Sequence, residues 1–115
     1  MITEKQKALI DDMGVMTEHD IFALAINEYG EKAQEDIAIE ECGELICAIS
    51  HKHRGREHNI AEEIADVEIC LEQLKMINGC HAEVSRIRQK KVLRLLRNIL
   101  NKGGKPFLVV LKEKR

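Results

Sequence analysis

The segment Glu40-Glu41-Cys42-Gly43-Glu44-Leu45 constrains this chain most, because it sets acids into a helical apolar stripe. Projection at about 100° per residue places Glu41 and Glu44 with Ile37, Leu45 and Ala48. After 18 intervening residues, Glu63-Ile64-Ala65-Asp66 repeats the arrangement. Glu63 and Asp66 fall among Ile60, Val67, Cys70, Leu74 and Ile77, while Glu68 and Glu72 point the other way as ordinary solvated acids. In an antiparallel hairpin the two pairs also correspond: positions 41 and 66, like 44 and 63, are equidistant from a point between His53 and Arg54. All four carboxylates are thus expected at one height. Desolvation and mutual repulsion raise the pKa values of acids held this way. A hard divalent cation relieves both, and an all-oxygen donor set without His or Cys favours Mg²⁺, with Mn²⁺ as a substitute. The helix dipole favours Glu62 and Glu63 near an N-terminus, and i,i+4 pairing accounts for other acids, but neither explains four on facing core stripes. Glu40 projects to the flank, as an outer ligand or an ordinary solvated acid.

Capping signals divide the rest of the chain into helices. Thr3 with Gln6 opens a first helix that runs to about Met13 and closes at Gly14; Thr17 with Asp20 opens a second, closed by Gly30. A third runs from Glu31 to the HRGREHN stretch, and Asn59, with Glu62 in the capping-box position, opens a fourth that ends at Gly79. The last, roughly 82–102, carries Val84, Ile87, Val92, Leu95, Leu96 and Ile99 and ends at Gly103-Gly104. A single proline and three aromatic residues agree with an all-α class, and 115 residues suit one core: a helical domain over 1–102 followed by an extended tail, 103–115. So small a core implies self-association. The N-terminal stretch has no uninterrupted apolar segment long enough for a signal or a membrane span, so a soluble cytoplasmic protein is expected. Cys42, Cys47, Cys70 and Cys80 have no metal or disulfide-scaffold spacing and read as buried reduced thiols.

Charge is divided along the chain. Residues 1–85 hold 7 Lys/Arg and 19 Asp/Glu, residues 86–115 hold 11 and 1. A basic C-terminal region suits nucleic acid, neutralisation of the chain's own acidic body or a phosphate-bearing small ligand. Nucleic acid ranks last, because the cations alternate with an apolar stripe and no reading motif accompanies them.

The two-part pattern EExxE (Glu40, Glu41, Glu44) and ExxD (Glu63, Asp66), in the context AQEDIAIEECGELICAI and NIAEEIADVEICLEQLK, resembles the MazG-like family of all-α nucleoside triphosphate pyrophosphohydrolases over roughly residues 20–100. The resemblance implies a helical bundle with two long antiparallel helices carrying the metal site, assembled as a homodimer or homotetramer. It implies Mg²⁺-dependent hydrolysis of a nucleoside triphosphate, a dNTP or a non-canonical NTP, to monophosphate and pyrophosphate. Glu41, Glu44, Glu63 and Asp66 would be the metal ligands, with Glu40 a further ligand or the residue that positions the attacking water. Gln34 shares a projected face with Glu41 and is a substrate-binding candidate or a solvated glutamine. Lys91, with Arg88 and Arg94, supplies charge to phosphates or forms a solvated basic face. The 103–115 tail lies outside the family pattern. The alternative is a non-catalytic helical oligomer that holds a structural cation or binds a partner.

Three smaller features remain. HKHRGREH (51–58) lacks the fourth ligand and helical frame of a zinc site and reads as a solvated turn, with Arg54 or Arg56 as phosphate contacts. Phe22 and Tyr29 read as core residues or base-stacking groups. Gly43, mid-helix, is expected to permit close approach of a neighbouring helix.

Overall fold

The computed structural model describes residues 3–5, 7 and 16–102, and the described chain is helical throughout its regular structure. Helix α1 spans Glu18–Tyr29, α2 Glu31–His53, α3 Ile60–Asn78 and α4 His81–Asn101. These are the second to fifth helices expected from the capping signals, within a residue or so at each end. The expected first helix, Thr3 to Met13, falls largely outside the described residues, as do Gly103-Gly104 and the tail. Among the described residues, no helix is long and apolar enough to cross a membrane.

Each boundary has a local cause. The Thr17 hydroxyl accepts from the Asp20 backbone N–H at 3.1 Å and the Asp20 carboxylate accepts from the Thr17 N–H at 3.2 Å, which completes the capping box of α1. Gly30, with φ +91°, both ends α1 and starts α2, a conformation that disfavours a side chain and lets one residue join two helices. Gly79 closes α3 in the left-handed region, with its N–H donating to the Met76 carbonyl. Asn59 precedes α3, but no side-chain cap bond forms there. Its amide donates instead to Glu63 Oε1 at 2.7 Å, one turn along.

The chain divides into two compact units, Met1–Gly79 and Cys80–Arg115. In the first, α2 and α3 form a hairpin and α1 packs on both. The connection folds back on α2, with the Arg56 N–H donating to the His51 carbonyl at 2.9 Å. In the second, α4 is amphipathic: Arg86, Lys90, Arg94 and Arg97 occupy one side, and Val84, Leu95, Leu96 and Ile99 project to another.

The fully buried residues of the hairpin are few and mostly small or polar: Gln34, Ala38 and Ala48 on α2, Glu63, Cys70 and Gln73 on α3. Large aliphatic side chains lie outside. Ile39 is 73% and Ile46 68% exposed, while Ile49, Ile64 and Leu71 are also exposed. Ile39, Cys42, Ile46 and Ile49 follow the alternating three- and four-residue spacing of a helix-packing stripe, and so do Ile60, Ile64, Val67, Leu71 and Leu74. Both stripes are rotated by about 100° from the facing seam in the same sense, which puts them on one side of an antiparallel hairpin.

Several expectations need correction. Ile37 lies at the exposed edge of the seam, while its neighbour Ala38 is buried. Among the cysteines only Cys70 is buried; Cys42 and Cys47 are exposed because their positions on α2 turn outward, and all four are free thiols. Tyr29 is exposed, at the last residue of α1, and Phe22 is half-buried. Gly43 is exposed, and a Cβ added there would meet nothing within 4 Å, so it accommodates no close helix approach.

Candidate metal centre

Helices α2 and α3 bring Glu41, Glu44 and Glu63 together: one carboxylate oxygen from each lies within 4.8 Å of the others. Among the described residues this is the only group of three or more His, Cys, Asp or Glu side chains so arranged. Glu63 is buried, Glu41 half-buried and Glu44 exposed, so the cluster runs from the seam out to solvent.

Hydrogen bonding leaves the cluster short of positive charge. Glu41 Oε2 and Glu63 Oε2 are sealed from solvent and have no hydrogen-bond partner. The other oxygen of Glu63 has the Asn59 amide. Acids that face water are served differently: Lys32 pairs with Asp36 and Lys75 with Glu72, both at 2.9 Å. Such pairs, the first exposed and the second part-buried, contribute little to stability. Two sealed, unpartnered carboxylate oxygens are far more costly.

The proton affinities register this. Desolvation, followed by the charges of Glu44, Asp66 and Glu63, pushes the Glu41 carboxyl up to about 7. Glu44 is also raised, first by the charge of Glu63 and then by desolvation, with a smaller push from Glu40. Burial raises the Cys70 thiol, and the neighbouring Glu41 charge adds to it, which keeps Cys70 an unreactive thiol beneath the acids.

Of the residues singled out in the sequence, Asp66 stands near enough to Glu41 to raise its pKa but lies outside the trio. Glu40 is on the exposed flank, as projected, and acts on Glu44 through its charge. Gln34 is buried on α2. Arg54 ends α2, with its N–H donating to the Ser50 carbonyl. Ten residues from Glu44, it lies about 15 Å along the axis, at the opposite end of the hairpin from Gln34. Lys91 is exposed on α4, in the second unit.

One participant escapes the sequence argument. Asn59 reads as a helix cap, and nothing in the local pattern says that its amide prefers the Glu63 carboxylate.

The donor set fits a hard divalent cation. All donors are carboxylate oxygens, Glu41 and Glu63 each carry one sealed oxygen that lacks a counter-charge, and the exposed Glu44 opens the cluster to solvent. No family model matches the chain, no curated protein matches it, and no solved structure matches it.

Proposed function

We propose that this chain is a MazG-like nucleoside triphosphate pyrophosphohydrolase, active with Mg²⁺ or Mn²⁺ on a dNTP or a non-canonical NTP. The observation that carries the reading is the trio Glu41, Glu44 and Glu63, with its two sealed and unpartnered oxygens on the facing seams of a hairpin. Folding alone gives no reason to place carboxylates there. The EExxE and ExxD spacing supplies the reaction class by resemblance.

Glu41, Glu44 and Glu63, with Asp66 beside Glu41, would hold the cation. Bound there, it supplies charge neutralisation for the phosphate oxygens and lowers the pKa of water. Glu40, on the flank, orients the attacking water toward the phosphorus. The Asn59 amide holds Glu63 in the orientation that turns its second oxygen into the seam. Cleavage between the α and β phosphorus atoms yields monophosphate and pyrophosphate.

The assembly belongs to the same reading. The outer stripes of α2 and α3 present an apolar side too extensive for a stable isolated hairpin, and a second copy that offers the same side buries both as a homodimer or homotetramer. A non-catalytic oligomer with a structural cation uses these features equally, and turnover separates the two. Mg²⁺ is expected to raise the melting temperature, and Glu63→Gln to abolish both that rise and triphosphate hydrolysis while helical content is retained. Full activity in Glu63→Gln refutes the reading; a metal-dependent rise without hydrolysis of any triphosphate favours the structural cation.

A further inference from the structure

We propose that helix α4 docks in the surface of a bilayer that carries anionic phospholipid, with its axis in the plane of the membrane. No residue of α4 is buried. Val92, Leu93 and Leu95 are each more than half exposed, and Ile99 and Leu100 are exposed as well. A helix of 21 residues is marginal in water when its apolar side gains nothing from packing. That side calls for a cover, and the arrangement of charge around it says which.

From Lys90 to Asn101, at about 100° per residue, Val92, Leu93, Leu95, Leu96, Ile99 and Leu100 fall within an arc of about 160°. Lys90, Lys91, Arg94 and Arg97 all fall in the remainder, Arg97 close to one border of the arc and Lys91 close to the other. These four are exposed, and among the described residues none has a carboxylate partner. The only acid on the helix is Glu83, in its first turn. Two copies of α4 laid face to face would therefore oppose cation to cation along both borders, which disfavours a helix pair. An anionic bilayer meets both demands at once. Acyl chains take the aliphatic arc, while Lys91 and Arg97 extend along its borders to lipid phosphates. The helix is too polar to cross the membrane, so it lies along it. Charge also selects which part of the chain approaches. Residues 1–79 hold 18 Asp/Glu and 7 Lys/Arg and are repelled by an anionic surface, whereas residues 80–115 hold 2 and 11 and are drawn to it.

The test is co-sedimentation of the full chain with vesicles of phosphatidylcholine alone and with vesicles of phosphatidylcholine and phosphatidylglycerol in equal parts. Partition onto the anionic vesicles is expected to exceed that onto the neutral ones by about thirtyfold or more, and to weaken as salt is raised. Lys90→Gln and Arg97→Gln should each lower it about fivefold. Leu95→Glu and Ile99→Glu should each lower it about tenfold or more, with the helical content of the free chain unchanged by circular dichroism. Should either glutamate variant lose helix, Leu95→Ser or Ile99→Ser gives the same reading with a neutral side chain. Anionic binding that survives loss of the apolar residues is adsorption by charge alone and overturns the proposal. So does the absence of any preference for anionic vesicles. Two further results overturn it by assigning the face elsewhere. Self-association in solution that Leu95→Glu abolishes, without vesicle binding, makes the occupant a second copy. Salt-sensitive binding of duplex DNA, without vesicle binding, makes it a nucleic acid.

Discussion

In the α2–α3 hairpin, Gln34, Glu41, Glu63 and Gln73 face inward while Ile39, Ile46, Ile64 and Leu71 face outward. On α4 the sides are drawn conventionally, with Arg86, Lys90, Arg94 and Arg97 opposite much of an aliphatic arc. The division of sides on α4 needs no explanation beyond amphipathic patterning, although its aliphatic residues Val92, Leu93, Leu95 and Leu100 are themselves exposed. The hairpin does, because hydrophobic burial would choose the opposite arrangement. On the proposed reading, its inward polarity serves a cation-binding seam and its outward isoleucines an interface between copies.

That contrast breaks first at the acids. Glu41→Gln is expected to reduce triphosphate turnover by about a hundredfold or more, whereas Arg94→Gln on α4 should change it only slightly. Comparable losses at both positions would make α4 part of the site and erase the distinction. Next come the outer isoleucines: Ile46→Asp or Leu71→Asp should weaken self-association by roughly thirtyfold or more, read by sedimentation equilibrium. An unchanged association constant would show that the apolar stripes serve something other than a second copy.

A third prediction uses pH. The folded Glu41 carboxyl titrates at about 7, against 4.5 for an ordinary glutamate, and Glu44 is displaced in the same direction. Between those values the folded chain keeps protons that the unfolded chain has released. This contribution to stability is therefore fully present below about pH 4.5 and is lost as the pH rises through about 7. With a chelator present, the melting temperature should decline across that window and then level; Glu41→Gln should flatten the decline. A melting temperature that rises through the same window would contradict the crowding of the acids.

The smallest effect concerns Gly43. Its exposed position with open space beyond the Cβ predicts that Gly43→Ala stabilises α2 by about 1 kcal/mol, measured by urea unfolding. Destabilisation would mean that another chain approaches α2 there.

Much of this was legible in the residue pattern, for reasons that differ by position. Thr17 with Asp20, Gly30 and Gly79 are local signals whose physics is complete within a few residues, and the helix boundaries followed from them. The facing of Glu41, Glu44 and Glu63 was legible because a helical period and a hairpin midpoint suffice to superpose them. Asp66 obeys the same arithmetic yet stands outside the trio, since projection gives direction and not the reach of a shorter side chain. Gly43 and the exposed Cys42 and Cys47 were misplaced because a helix shows which residues share a side without showing which side is covered. The choice of Glu63 by the Asn59 amide depended on a carboxylate that lacks other donors, a tertiary fact that no local motif carries.

The most direct measurement is product analysis with a panel of ribo- and deoxyribonucleoside triphosphates, canonical and modified, in Mg²⁺ and in excess chelator. The account predicts monophosphate and pyrophosphate in equal amounts from at least one triphosphate with Mg²⁺, and none with chelator. Diphosphate and phosphate, or product that persists without the metal, would contradict it.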